Sequence, residues 1–195
     1  LKLDLNDVNF KLNTLGFKFE VSTINPKIAI NQKKIELESI KFDLNIFDYL
    51  NKKNPITQVL ILSKENNISQ ISDFINEYDF NLGRYLILKQ ITKGKVKVLS
   101  KIIIDEIDPN NLKYIIDGSI TEAEINPKSQ LKIENIKFDF RIDQDTVNLK
   151  DIDFSFDKIL ISSDKININK INNKFEFDGN FKTSKSKINL NKYIK

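Results

Sequence analysis

The chain has 195 residues and a mass of 22.7 kDa, enough to bury a core as one or two domains. Its 31 Lys and Arg against 27 Asp and Glu leave a net charge of +4, and it contains no His, Cys, Met or Trp. Without His and Cys the common zinc sites, the Ser-His or Cys-His nucleophile pairs and any disulfide scaffold are excluded.

The first element is a ten-residue phrase, apolar-x-apolar-x-x-apolar-x-apolar-x-apolar, that begins at Leu3 and ends at Leu12. It returns at Ile35 to Leu44, Leu131 to Phe140 and Val147 to Phe156. Period 2 on both sides of the polar pair predicts β-strand with one oily and one wet face. The polar pair keeps the oily face constant only as a tight two-residue turn or as a bulge. Between the first two copies, Phe17/Phe19/Val21 and Ile28/Ile30 alternate, with turn signals at Asn25-Pro26 and Asn31-Gln32. Ile46 to Leu50 breaks the alternation, Asn51 to Pro55 reads as a polar loop, and Val59 to Leu62 reads as a strand covered on both faces.

Residues 67–92 differ. Ile68, Ile71, Phe74, Ile75 and Tyr78 fall at helical spacing, with Asn67 as cap and Gln70 three residues on in a capping-box position. Leu82 to Ile91 fits a second helix, or a strand over Tyr85 to Leu88, and Gly83 counts against the helix. Thr92-Lys93-Gly94 marks the return to β structure. From there apolar alternation runs through Val96/Val98, Ile102/Ile104, Tyr114/Ile116, the last two phrases, Ile159/Ile161, Ile166/Ile168, Phe175/Phe177 and Ile188/Leu190. Asp108-Pro109-Asn110-Asn111 and Asn172-Asn173 are turn signals, and Gly118 and Gly179 predict a bulge or a close backbone approach within strands. Frequent turns without intervening helices predict an antiparallel meander.

The polar faces carry alternating signs, as in Lys41/Asp43, Lys137/Asp139 and Lys150/Asp151/Asp153. That is a solvated face supporting opposite-sign cross-strand pairs, not a nucleic-acid patch. Only Arg84 and Arg141 are arginines. Glu122 and Glu124 read as surface residues, and Asp105, Glu106 and Asp108 as a plain acidic turn without EF-hand spacing. No Gly-rich phosphate loop or nucleophile elbow is present. The chain therefore reads as a non-enzyme with no cofactor and no metal. No stretch of about 20 apolar residues is present to form a spanning helix, and no signal peptide is present. A first residue other than Met and an opening in mid-pattern predict a segment of a longer protein. The abundance of Ile, Lys and Asn fits coding by an AT-rich genome.

Two uses of the apolar face remain open on periodicity alone. It is the inside of a β-sandwich, or it is a curved sheet with a lipid groove. The run from Ile35-x-Leu37-x-x-Ile40-x-Phe42-Asp43-Leu44 into Ile46-Phe47-Asp48-Tyr49-Leu50 resembles bacterial AsmA-like proteins of the YhdP type. So does the later order: a helical insert ending Tyr78-Asp79-Phe80-Asn81-Leu82, then Gln90 to Val96, then a strand reaching Asp117-Gly118-Ser119-Ile120. The resemblance spans nearly the whole chain. It implies a mainly β, extended, curved antiparallel sheet, groove- or taco-like, in a periplasmic protein anchored to the inner membrane of a Gram-negative bacterium by a segment outside this chain. It also implies conduction of phospholipid towards the outer membrane, with acyl chains and membranes as partners and no nucleic acid.

On this reading residues 1–66 form a β-sheet segment, 67–92 a helical insert, and 93–195 a β-meander continuing the same sheet. The expected groove lining is Ile40, Phe42, Leu44, Ile136, Phe138, Phe140, Ile152, Phe154 and Phe156. The competing expectation is a closed structural β-domain in envelope or outer-membrane protein assembly, as in TamB-like proteins.

Overall fold

The computed structural model describes residues 2–13, 17–78, 89–105, 108, 112–126, 132–171 and 174–184. Their elements are β1 (Lys2–Asp4), β2 (Val8–Asn13), β3 (Lys18–Ile24), β4 (Lys27–Ile30), β5 (Lys33–Asn45), α1 (Ile46–Leu50), β6 (Ile56–Ser63), β7 (Asn66–Asn67), α2 (Ile68–Tyr78), β8 (Ile91–Ile104), β9 (Leu112–Ile125), β10 (Ile133–Ile142), β11 (Thr146–Phe156), β12 (Ile159–Ile171), β13 (Lys174–Gly179) and β14 (Lys182–Thr183). The 14 strands form one large, curved, open antiparallel sheet. Its order is β1-β4-β5-β6-β8-β9-β10-β11-β12-β13. Alongside β4, β3 pairs with the second half of β5, and β2 pairs with β3. At the other side β14 joins β12 next to β13. The mainly β architecture expected from the alternation is thus present, and among the described residues it is one sheet with two short helices.

The polar pair of the repeated phrase is resolved as a bulge, not a turn, in three of its copies. In β10 the register against both neighbours slips by one residue at Asn135, whose φ is 54°. In β11 the slip against β10 falls at Asp151, with φ 50°. In β5 it falls between Leu37 and Ser39. Asn and Asp enter the left-handed region at less cost than other side chains, and a bulge restores the apolar phase after an odd residue. The first copy does something else. Asp7, at φ 41°, separates β1 from β2, which pair with different strands.

Other turns follow their residues. Asn31 at φ 52° closes the β4–β5 hairpin, and Asn25 at φ 52° bends β3 into β4. The β11–β12 hairpin is a two-residue connection, Asp157-Lys158, with both residues at positive φ. That is the type I′ geometry whose twist matches the flanking strands.

Ile46 to Leu50, which interrupts the alternation, is helical. Asn45 caps α1, its side-chain oxygen accepting from the Phe47 N–H at 3.0 Å. The expected helix at 68–78 is α2, and its cap includes the expected contact: Gln70 Oε1 accepts from the Asn67 N–H at 3.2 Å. The second helix or strand expected over Leu82 to Ile91 lies outside the described residues up to 88, and Ile91 already belongs to β8. β6 hydrogen-bonds β8 directly, so the sheet runs on past the insert.

α2 packs on the apolar face. Ile68 is buried with Val96, Ala123 and Ile136, and Ile71, Ile91, Phe138 and Phe154 pack around them. Gly94, at φ 141°, lets the helix approach. A Cβ there would lie 2.7 Å from Ile68 Cδ1 and 2.8 Å from Ala123 Cβ. The wet side of α2 is fastened to the β4–β5 hairpin by a 2.7 Å Lys33–Asp73 ion pair and an Asn31–Glu77 hydrogen bond. Asn66, buried just before α2, ties the loop to β5. Its carboxamide accepts from the Glu36 N–H at 3.2 Å and donates to the Glu36 carbonyl at 3.0 Å.

Candidate functional site

Directly paired residues of neighbouring strands point to the same side of a sheet. Following pairs across the sheet gives one unbroken row: Val8, Thr23, Ile40, Ile61, Ser100, Ile116, Ile142, Val147, Ile168 and Phe177. The row crosses β2, β3, β5, β6, β8, β9, β10, β11, β12 and β13, with only Thr23 and Ser100 carrying a hydroxyl. A shorter row beside it runs Phe10, Val21, Phe42, Val59, Ile102 and Tyr114. On the other side lies Val98, Gly118, Phe140, Leu149, Ile166 and Gly179. The face is therefore apolar along and across the strands, because each bulge returns the alternation to the same side.

All nine residues read from the phrase as lining fall on this face. Ile40, Ile136 and Ile152 are buried, whereas Phe42, Leu44, Phe138, Phe140, Phe154 and Phe156 are half-buried. They do not form one cluster. Ile136 belongs to the buried cluster with Ile68, Phe138, Phe140 and Phe154 pack against that cluster, and Ile40, Phe42 and Leu44 lie across the sheet on β5. The rings of Phe138 and Phe140 sit 6.3 Å apart, and that of Phe154 meets Phe181 edge-on at 6.3 Å. Phe140 also covers Gly118, where a Cβ would collide with the ring and lie 2.7 Å from the Lys97 carbonyl. The glycine signal therefore marked a close approach. The row members on β8, β9 and β12 are outside the phrase copies, so the phrase alone did not pick them out. Their own alternation, Ile102/Ile104, Tyr114/Ile116 and Ile166/Ile168, is the signal that finds them.

Among the described residues α2 covers one end of this face, and much of the rest is open. Phe10 on β2 and Phe177 on β13 are each 73% exposed. Between β5 and α1 the face ends in a hollow of about 100 Å³ formed by Phe19, Leu44, Ile46, Tyr49 and Pro55. Beside it the rings of Phe17 and Phe47 meet at a tilt with centroids 5.0 Å apart, and Tyr49 and Leu50 are exposed.

The opposite face is charged, with opposite signs meeting. Lys137 pairs with Asp153 and Asp139 with Lys150 across β10–β11. Arg141 reaches Asp117 at 3.4 Å and Lys97 reaches Glu38 at 3.0 Å. A shallow hollow of about 480 Å³ on this side is lined by Leu62, Leu99, Lys97, Asp117, Asp139, Arg141 and Lys150, among others. Leu60 and Leu62 explain why β6 reads as apolar on both phases: their partners here are Lys41, Lys101 and Leu99.

Glu122 is exposed, but Glu124 corrects the surface reading of the pair. It is largely covered, and Lys93 at 2.6 Å and Lys132 at 3.6 Å hold it. Its hydrogen bond to Lys93 and the positive charge of Lys132 keep the carboxyl below its ordinary range. Asp143 is lowered as well, chiefly by the Asp145 N–H and then by the Thr146 hydroxyl, in the β10–β11 turn. Neither carboxylate faces the apolar side with a catalytic partner. Among the described residues no group of three acidic side chains gathers as a metal site, and no helix is long and apolar enough to cross a membrane. No protein-family model, curated protein or solved structure matches the chain.

Proposed function

We propose that the apolar face is a lipid-binding wall, and that the chain is a segment of a bridge-like lipid-transfer protein of the AsmA-like type. In that role it works in the periplasm of a Gram-negative bacterium and carries phospholipid between inner and outer membranes. The observation that carries the reading is the apolar row across ten strands of a single sheet, exposed at its two edge members, half-buried at six positions and buried at Thr23 and Ile40. A sandwich core calls for a second apolar layer opposite this one. The described cover is α2, at one end.

The energetics suit such a wall. Each CH₂ taken from water contributes about 0.8 kcal/mol, so one long acyl chain gains on the order of 10 kcal/mol along a wholly apolar lining. Hydrophobic contact is non-directional, so equivalent rows let a chain shift from one to the next without losing a specific bond. The charged face gives lipid no such gain and keeps the opposite side in water. Phospholipid headgroups would stay at the open margin of the wall.

Site-specific photo-crosslinking tests this. A photoreactive residue at Phe138 or Phe154 should capture phospholipid, and one at Lys137 or Asp153, paired on the charged face, should not. Equal capture from both faces would refute the wall.

A further inference from the structure

We infer that the rim formed by α1 and Phe17 docks on the surface of an anionic phospholipid bilayer. Four large apolar side chains gather there in water. Tyr49 and Leu50 are 70% and 68% exposed, and Phe17 and Phe47 are each more than half exposed. Phe47 and Leu50, three residues apart, share one face of α1, and the Phe17 ring meets that of Phe47. Single exposed apolar residues are ordinary, whereas a gathered patch marks an interaction site.

The backbone holds this patch in place. The Ile46 N–H donates to the Phe17 carbonyl at 3.2 Å, and the Asn45 N–H donates to the Pro55 carbonyl at 2.8 Å. At the end of α1 the Asn51, Lys52 and Lys53 N–H groups donate to the Phe47, Tyr49 and Asp48 carbonyls. The exposed side chains therefore stand on a fixed connection between β5 and β6.

Cations border the patch. Lys18, Lys52 and Lys53 are exposed, and among the described residues none of them has a carboxylate partner. The carboxylate of α1 itself, Asp48, is half-buried. The next ones, Glu20 and Asp43, stand opposite each other further along β3 and β5 on the charged face. The rim itself is thus positive. This combination favours a bilayer over a protein partner, because protein interfaces are enriched in arginine and depleted in lysine. At a bilayer surface leucine and phenylalanine enter the boundary between headgroups and acyl chains, a tyrosine hydroxyl stays at headgroup level, and lysines meet anionic lipid. The hollow of Phe19, Leu44 and Tyr49 joins the patch to the apolar face, so docking sets that face against the lipid. The docking does not rest on the lipid-binding wall, since the patch meets a bilayer whether or not the face holds lipid.

The chain has no tryptophan, so a single introduced one reports its own surroundings. Emission is followed for Tyr49→Trp on the rim, Leu160→Trp on the charged face and Phe177→Trp at the far edge of the apolar face, each checked for folding by circular dichroism. The probes are vesicles of phosphatidylcholine mixed with phosphatidylglycerol, and vesicles of phosphatidylcholine alone. Tyr49→Trp should shift to the blue with the mixed vesicles and much less with phosphatidylcholine, while Leu160→Trp stays unshifted. Adding Lys52→Gln and Lys53→Gln to Tyr49→Trp should weaken the apparent vesicle affinity roughly ten- to thirtyfold. No shift at Tyr49→Trp, an equal shift at Leu160→Trp, or a shift at Phe177→Trp alone overturns the inference. So does a Tyr49→Trp shift indifferent to phosphatidylglycerol and to the two lysines. Emission already blue in buffer also overturns it, because the patch is then covered by protein. Phospholipid captured at Phe138, in a chain whose Tyr49→Trp emission ignores vesicles, would leave the wall standing and remove only the docking.

Discussion

At the scale of single residues, the sheet is most constrained where two backbones or a ring and a backbone come close. Gly118 lies beneath Phe140, and an added methyl there meets both the ring and the Lys97 carbonyl. Gly118→Ala should cost about 1–3 kcal/mol in chemical denaturation, as other overpacked sites do. Adding Phe140→Ala should recover part of that loss, giving a non-additive cycle. Charge sets a second constraint. Lys93 and Lys132 lower Glu124 from its ordinary 4.5, and the Asp145 N–H and Thr146 hydroxyl lower Asp143 from 3.8. A depressed carboxylate contributes stability that is complete above its unfolded value and lost as the pH falls through its folded value. The melting temperature should therefore decline below about pH 4.5, and Glu124→Gln should flatten that decline while lowering the neutral-pH value.

At the scale of elements, the repeated phrase made most of the strands legible, because period 2 is a direct geometric consequence of the pleat. The position of the odd residue was legible too, but its form was not. Three of the four copies place Asn or Asp at the second polar position and the β5 copy places Ser39 there, so the residue type alone does not separate a turn from a bulge, and the strand neighbours decide between them. Asn135 is flanked by β9 and β11 and becomes a bulge, whereas Asp7 has separate partners before and after it and divides two strands. Asn135→Gly should be near neutral and Asn135→Val should cost about 1–2 kcal/mol in the same denaturation assay, since a β-branched side chain resists the left-handed conformation. If Val is as stable as Gly, the bulge does not hold the register. α1 was hidden because five residues are too few for a helical period, although Asn45 in front of it is a good cap. The Asp157-Lys158 hairpin was hidden because it lacks the glycine that usually announces a type I′ turn. α2 was readable from its spacing and cap, but its seat on the apolar face depends on Gly94 and Ala123 leaving room for Ile68.

At the scale of the whole molecule, the sequence pattern left both a sandwich and an open sheet consistent with alternation, because both need one apolar face per strand. What separates them is the number of layers, which arises from long-range pairing: 14 strands join one sheet, and the described helix across the apolar face covers one end. The candidate lining was legible for the same reason as the strands, and it was incomplete because a repeated phrase highlights only the strands that carry it. The result is a continuous apolar face whose members are interchangeable, so under the proposed lipid-binding role single substitutions in it should act by degree. Native mass spectrometry of the chain after incubation with phospholipid vesicles tests the central claim most directly. The account predicts that phospholipid remains bound, and that Phe42→Asp and Phe154→Asp together, in a chain still folded by circular dichroism, release most of it. A folded wild-type chain that emerges free of lipid, or a double variant that retains as much as the wild type, would contradict it.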